Sequence, residues 1–373
     1  MSIRILHLAD AHLGAPLANF GDYARQRHAE QEEAFTRAID HALAERVHLV
    51  LIAGDLFDTF RPDPASVNLV RRQLGRLREA GIVIAGVPGT HDSLGYAECV
   101  YHHEALPFHH FFTGPTFAGP AELEIAGVPV ALYGIAYDTK QSGGGWDSLV
   151  RTSTEGLHIA LVHAACRFNP EWPIPPDDLP FAAEDLARLN MDYVALGHYH
   201  NMREFRDGER LVGAYSGSLE GRDWTEPGPR HVLLIEWQRP GDAPSLRALP
   251  VQSRTLGVAT VDVSGAPDQE AMAERIAAAC EPGPLWRITL TGEPEAVPQP
   301  AALEAQLAAR YDHLQIVDST TLVASHLVAQ RCEEETVRGE FFRRLVAQRA
   351  AAADERERAV ADRAIKLGVR VFG

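Results

Sequence analysis

The sequence predicts an α/β protein: a buried sheet flanked by helices, then a small α+β cap domain, then a C-terminal helix. Three observations carry this. Apolar runs alternate with amphipathic stretches in a β-α-β-α-β rhythm from residue 3 to 87. A smaller version of that rhythm returns after residue 250. From about 333 an apolar stripe at helical spacing gives way to an Ala-rich, charged tail. The expected domains are 1–250, 251–330 and 331–373, the last a possible partner-docking segment.

The elements follow in order. IRILHLA (3–9) reads as a buried strand. Residues 22–46 read as a helix with Phe35, Ile39 and Leu43 on one face. HLVLIAG (48–54) is the next strand. Pro62 and Pro64 introduce a helix to about 80, with Val67, Val70, Leu74 and Leu77 inward, and IVIAGV (82–87) is the third strand. Shorter strands are expected at about 121–125 and 128–135, and the Gly143–Gly145 run marks a loop. LHIALV (157–162) and MDYVALG (191–197) are buried strands separated by the proline-rich FNPEWPIPPDD. MREFRDGERLVGAY (202–215) reads as a hairpin turning at Asp207-Gly208, followed by the strand HVLLIEW. In the cap, RTLGVATVDV, LWRITLTG and HLQIVD read as strands, with helices at 268–280 and 300–310. Val337, Phe341 and Leu345, with Phe342 and Val346, give the last helix its stripe, to pack on its own cap or on a partner.

Composition narrows the class. The 373 residues are 46% hydrophobic and 23% charged, values of a soluble globular protein of two or three domains. Lys plus Arg is 35 against 51 for Asp plus Glu, a formal net charge of −16. A freestanding nucleic-acid binder carries a basic surplus, so any DNA contact here must rest on a local patch, bound metal or a partner. Cys99, Cys166, Cys280 and Cys332 form no Cys-x-x-Cys pair, which argues against a zinc knuckle and for a reducing cytoplasm. MSIRILHLAD is interrupted too soon for a signal peptide. No stretch approaches the ~20 apolar residues of a membrane span, so no membrane association is expected.

The chemistry gathers at strand ends. His7 and His48 sit within strands as packing residues, and His102, His103, His109 and His110 read as solvated. The other donors each follow an apolar strand: Asp10 and His12, then Asp55, then Thr90-His91-Asp92, then His163, then His198 and His200. In open α/β sheets ligands bind beyond such ends. Carboxylates and imidazoles together suit Mn²⁺, Fe or Zn²⁺. This many donors suits two ions about 3.5–4 Å apart, bridged by a carboxylate. Gly54 and Gly197 let the backbone turn sharply beside the ligands. Each fragment alone is weak, but all of them in order, each after a strand, are a strong signal.

The order Asp-x-His, Gly-Asp, Gly-Asn-His-Asp, His, Gly-His-x-His is that of calcineurin-like metallophosphoesterases, which this chain resembles. LHLADAHLG, GDLFD and GHYH look like the SbcD-type DNA nucleases, and YSGSLEGRDWTEPGPRHVLLIEW is similar to the YhaO-like branch of DNA repair exonucleases. The resemblance covers about residues 1–240. It implies a layered sheet, a sandwich, flanked by helices. It also implies a metal-dependent DNA phosphodiesterase, exo- or endonucleolytic, acting in DNA end processing and repair by in-line attack of an activated hydroxide on phosphorus.

By the same resemblance Asp10, His12 and His200 hold one metal, His163 and His198 the other, and Asp55 bridges. His91 stands near the leaving oxygen, with Asp92 orienting it. Asp58 stands behind the ligands or caps a helix. The implied cofactor is a pair of divalent ions, Mn²⁺ first, with Fe or Zn²⁺ as alternatives. The implied partners are DNA, an SMC-like ATPase of the SbcC/YhaN type, and a second copy of the chain in a homodimer. The chain departs from the pattern at Thr90, where the family has a metal-ligating asparagine. A threonine hydroxyl reaches less far than an amide oxygen and is a poorer ligand, so Thr90 stays a metal-site residue by resemblance, and the second ion either gains a water between it and Thr90 or binds with fewer protein ligands. Arg222 is the candidate substrate-binding residue, with Asp223 and Glu226 as competing ion-pair partners. Two other readings stand beside the nuclease: a phosphodiesterase on small or nucleotide substrates, which the acidic charge favours, and a weakly active or inactive scaffold subunit of an SMC-like ATPase complex.

Overall fold

Strands β1 (Ile3–Leu8), β2 (Leu49–Ala53), β3 (Val83–Val87) and β4 (His110–Phe111) run parallel, because helices α1 (Ala24–Ala44) and α2 (Pro64–Glu79) carry the chain back over one face. The structure is a computed structural model that describes residues 2–117, 119–137, 145–168, 174–321 and 325–372. The sequence readings for Gly143, Gly144 and residues 169–173 lie outside the described residues.

A second set of strands follows: β5 (Ala121–Ile125), β6 (Val128–Ile135), β7 (Leu157–His163), β8 (Tyr193–Gly197), β9 (Arg203–Asp207) and β10 (Arg210–Tyr215). It forms its own sheet in the order β5-β6-β7-β8-β10-β9. The hairpin β9–β10 turns at Asp207-Gly208, with Gly208 at φ 59°. β11 (His231–Trp237) returns to pair antiparallel with β1, and β12 (Ser245–Pro250), which the sequence did not signal, completes the first sheet as β12-β11-β1-β2-β3-β4.

Alternation along the strands explains the layering. Ile3, Ile5, Leu49 and Leu51 of one sheet meet Leu132, Ile159, Leu161 and Tyr193 of the other in a buried core between the sheets. Leu6, Val50, Ile52 and Ile84 point the other way, onto Phe35 and Ile39 of α1 and Val70, Leu74 and Leu77 of α2. The outer face of the second sheet is covered by Leu149, Phe181 and Leu186; three short helices, α3 (Val100–His103), α4 (Gly145–Ser148) and α5 (Ala183–Arg188), complete this part of the chain. The result is a two-sheet sandwich flanked by helices.

The two-sheet sandwich is the layered sheet that the resemblance implied, and the five donor-bearing strand ends are divided between its sheets: β1, β2 and β3 belong to one, β7 and β8 to the other. The two sheets come close here because Gly54 and Gly197 carry no side chain. A Cβ on Gly197 would collide with the Ala53 carbonyl, and one on Gly54, at φ 89°, would strike the His163 ring.

The chain divides into two units, Met1–Thr255 and Leu256–Gly373. In the second, β13 (Leu256–Asp262), α6 (Gln269–Ala279), β14 (Leu285–Thr291), α7 (Pro300–Leu307) and β15 (Leu314–Asp318) form a three-stranded parallel sheet in the order β13-β14-β15. Its core is built by Val261, Met272, Ile276, Ile288, Leu290 and Leu303. A helix α8 (Ser325–Cys332) comes first, and the single C-terminal helix expected from about 333 is instead two helices, α9 (Val337–Ala350) and α10 (Glu355–Phe372). Thr336 starts α9 as a cap, its hydroxyl accepting from Gly339 N at 3.1 Å. Phe342 is buried with Val328 and Ile365, so much of the expected stripe packs within this unit, while Val337 and Val346 stay exposed.

Candidate metal centre

The loops after β1 and β2 are zipped together by their backbones. Asp10 N, His12 N and Leu13 N donate to the carbonyls of Gly54, Asp55 and Leu56 at 3.0–3.1 Å. The ligand positions sit in uncommon backbone conformations: Asp10, His12, Asp55 and His198 have φ of 52°, 45°, 47° and 114°. Such strain persists only where the surroundings over-determine it, and it gathers at functional sites.

The side chains converge. Asp10, His12 and His200 bring one donor atom each within 4.8 Å of one another, and so do Asp10, Asp55 and His163. Within the second group Asp55 Oδ2 lies 3.4 Å from His163 Nε2 and also 3.5 Å from His12 Nε2 of the first, so it faces a member of each. His198 joins through its ring, 5.3 Å from that of His163, and its backbone N–H donates to both oxygens of Asp10 at 3.0 and 3.2 Å.

The outer nitrogens are fixed by acceptors. His12 Nδ1 meets Asp58 Oδ1 at 3.1 Å, His163 Nδ1 meets the Ala53 carbonyl at 3.0 Å, and His200 Nδ1 meets Glu226 Oε1 at 2.5 Å. A neutral imidazole that donates from Nδ1 presents a bare lone pair at Nε2. Those lone pairs turn inward. His12 Nε2 and His200 Nε2 stand 3.1 Å apart, a repulsive arrangement unless a cation or proton lies between them. His163 Nε2 is buried with no hydrogen-bond partner among the described residues. The donor set therefore fits divalent cations on its own geometry.

Electrostatics agree. Burial pushes His12 down to about 4 and His198 down to about 3, so both offer lone pairs at neutral pH. Burial alone would lower His163 too, but Asp55 and then Asp10 carry it up to about 9. Burial pushes Asp10 up to about 6 against the pull of His163 and His200. Burial would also raise Asp55, yet His163, His12 and His91 hold it well below the carboxylate range.

One expectation follows. A raised His163 favours the protonated ring, and a cation must displace that proton. Metal affinity is therefore expected to rise as pH climbs from 6.5 toward about 9, with about one proton released per chain at pH 7. The His163–Asp55 attraction stabilises the metal-free fold below 6.5 and is lost as pH rises through about 9. Calorimetry in buffers of different ionisation enthalpy counts the protons; release of none would sink the assignment.

The structure brings most of the sequence-chosen residues together and corrects two. Thr90 Oγ1 lies 3.1 Å from Asp55 Oδ2, so its hydroxyl donates to the shared oxygen. His91 is exposed at the site's edge, its ring 4.6 Å from that of His12. Asp92 does not orient His91. It is fully buried and accepts from Gly89 N (2.7 Å), Leu56 N (2.9 Å), Phe57 N (3.2 Å) and Tyr101 Oη (2.7 Å), which pins the third strand-end loop to the second. His91 is oriented by Asp58, whose carbonyl accepts from Nδ1 at 2.9 Å and whose carboxylate lies at 3.6 Å.

Arg222 pairs with Glu226, one of the two partners the sequence offered, and with Asp58. Its Nη1 donates to Asp58 Oδ1 at 2.8 Å and its Nε lies 3.6 Å from Glu226 Oε1. It thereby clamps the two carboxylates that hold His12 and His200. Glu226 was named in the sequence only as a partner for Arg222; its hold on His200, the bond from Tyr101 to Asp92 and that from Arg230 Nη1 to the His200 carbonyl were missed, because no local spacing marks them.

Two clusters of carboxylate and imidazole, with Asp10 in common and Asp55 facing both, stand where the parallel strands of two sheets end, which is a two-metal phosphoesterase architecture. The calcineurin-like phosphoesterase family model matches residues 3–202, more than half of the chain, and the chain belongs to that family. It is a metallophosphoesterase, and members of the family bind two divalent metals. The chain is 27% identical over 243 residues to the uncharacterized metallophosphoesterase YhaO of Bacillus subtilis, covering 62% of this chain and 57% of that one. It is 28% identical over 306 residues to the DNA double-strand break repair protein Mre11 of Sulfurisphaera tokodaii, covering 78% and 74%. It is 27% identical over 273 residues to the SbcD component of the nuclease SbcCD of Bacillus subtilis, covering 64% and 67%. The solved structure of the calcineurin-like phosphoesterase YfkN from Bacillus subtilis aligns with a TM-score of 0.42 at 12% identity, over 74% of this chain and 96% of that one. No helix among the described residues is long and apolar enough to cross a membrane.

Proposed function

We propose that this chain is a DNA phosphodiesterase of end processing and repair. The observation that carries the chemistry is Asp55 Oδ2, approached by His12, His163 and Thr90 from separate loops. The similarity to proteins named Mre11 and to the SbcD component of a nuclease supports DNA as the substrate.

In this reading Asp10, His12 and His200 hold one ion, His163 and His198 the other, and Asp55 is shared. Mn²⁺ is the proposed metal, since mixed carboxylate and imidazole donors suit it. When bound, two divalent ions supply an activated water and neutralise charge on the phosphoryl oxygens. The chain's own residues do the rest. Asp58, Ala53 O and Glu226 hold the three imidazoles with Nε2 inward. His91, anchored through Nδ1, presents Nε2 toward solvent to meet the leaving oxygen. Arg222 fixes Asp58 and Glu226, and any contact it makes with a phosphate is made from that clamp. Thr90 donates its hydroxyl proton to the shared carboxylate, and its oxygen is a poorer ligand than an asparagine amide, so the second ion is held more weakly than an asparagine would hold it.

The test is metal content and DNA cleavage on one sample, titrated with Mn²⁺. Wild type is expected to hold two ions per chain. His91→Ala is expected to keep them while cleavage falls about 10²–10⁴-fold. Thr90→Asn is expected to lower the Mn²⁺ requirement. Turnover of small diesters without DNA cleavage would favour the small-substrate reading. Neither activity at any Mn²⁺ level, in wild type or Thr90→Asn, would favour the scaffold reading. The surface proposed for an SMC-like ATPase is the last helix, where Val360, Leu367 and Val371 remain exposed.

A further inference from the structure

Two aromatic rings stand on the loops that meet at His91. Phe60 lies two residues beyond Asp58, and Tyr96 five residues beyond His91. The loops touch where the Asp58 carbonyl accepts from His91 Nδ1 at 2.9 Å. The rings stack face to face, with centroids 4.1 Å and planes 13° apart. Phe60 is packed against the sheet–helix core, whereas Tyr96 is 42% exposed. The pair is a step whose inner ring is anchored and whose outer ring meets water, on the two loops joined at the histidine assigned to the leaving group.

The loop that carries Tyr96 is braced along its length. The carbonyls of Asp92, Leu94, Tyr96 and Ala97 accept from Cys99 Sγ, His102 Nε2, Cys99 N and His103 Nε2 at 2.9–3.4 Å. Gly95 N donates to Ser93 Oγ at 3.2 Å. On the other loop the Phe60 carbonyl accepts from Val100 N at 2.8 Å. His102 and His103, which read as solvated in the sequence, thus hold the loop in shape. A large exposed ring on a stiff support binds a flat partner with little ordering cost. Bases stack on such rings whatever their identity, because every base has a π-face.

We propose that Tyr96, backed by Phe60, is a stacking platform for an unpaired nucleobase next to the scissile phosphate. The inference deepens the nuclease reading and rests on it. A base inside a duplex has both faces covered by its neighbours, so the platform takes a single strand or a frayed end. It therefore sets a preference for unpaired DNA near the cut.

The test uses the full-length, Mn²⁺-loaded protein and single-stranded oligonucleotides carrying 2-aminopurine or an abasic site, scanned across the cleavage point. Tyr96→Ala is expected to raise KM about tenfold or more and to remove the quenching of 2-aminopurine at one position. Tyr96→Phe is expected to retain both. An abasic site at that position should cost wild type the same factor and cost Tyr96→Ala nothing further. Unchanged KM and quenching in Tyr96→Ala, with wild type cleaving normally, overturns the platform alone, as do losses that simply multiply. Absence of DNA cleavage by loaded wild type overturns the platform and the nuclease reading together.

Discussion

Asp55→Asn is expected to abolish phosphodiester cleavage, by at least about 10³-fold, and to lower bound metal from two ions per chain to one or none. Three side chains converge on this carboxylate. Oδ2 meets His12, His163 and Thr90, while Oδ1 accepts from His91 N at 2.8 Å. An amide loses the charge that two cations share. It also removes the attraction that carries His163 up to about 9, so the histidine drops toward the low value its burial favours. Two readouts separate the effects: elemental analysis for the ions, and the His163 titration followed by NMR in metal-free protein. Retention of two ions with full activity would falsify the shared-carboxylate assignment.

Arg27→Ala is expected to be the most damaging single change for stability. Arg27 on α1 is fully buried; its guanidinium donates to Glu30 Oε2 at 2.5 Å, Glu220 Oε1 at 2.9 Å and the Gly221 carbonyl at 2.7 Å. Removing it leaves two buried carboxylates facing each other. Breaking such a cluster by deleting one partner costs about 3–5 kcal/mol. In a unit of this size that lowers Tm by about 10 °C. Burial already raises Glu220, and Arg27 opposes that rise. Without Arg27 the Glu220 carboxyl favours its protonated form, so the deficit should shrink as pH falls through the carboxylate range. Activity should fall as well, because Gly221 precedes Arg222, and the same loop supplies Glu226 to His200. Thermal melts of wild type and variant across pH 4–8 check the sign; an equal Tm at neutral pH would remove Arg27 from this role.

The clustered Asp and His side chains were legible in the sequence because each stands directly after an apolar strand. That placement is local: a period-two or continuous apolar run, then a turn, then Asp or His. The glycines were legible for the same reason, since Gly54 and Gly197 stand beside the donors they serve. The hairpin at Asp207-Gly208 and the β-α-β-α-β order of the second unit follow from turn chemistry and periodicity alone. β12 escaped because its residues alternate weakly, and it exists only by pairing with β11. The break between α9 and α10 escaped because helical periodicity persists across it.

What the sequence by itself determined was which side chains can act and on which strand ends they ride. Tertiary structure decided what each of them faces. Asp92 follows His91 in the chain, yet it turns inward to three backbone N–H groups and Tyr101, and the carbonyl of Asp58 takes the histidine. Arg222 adjoins Asp223 but reaches Asp58, 164 positions away. The reason is physical. A buried polar group must find a partner wherever packing places one, and in a sandwich of two sheets the nearest partner in space comes from the other loop rather than from the next residue.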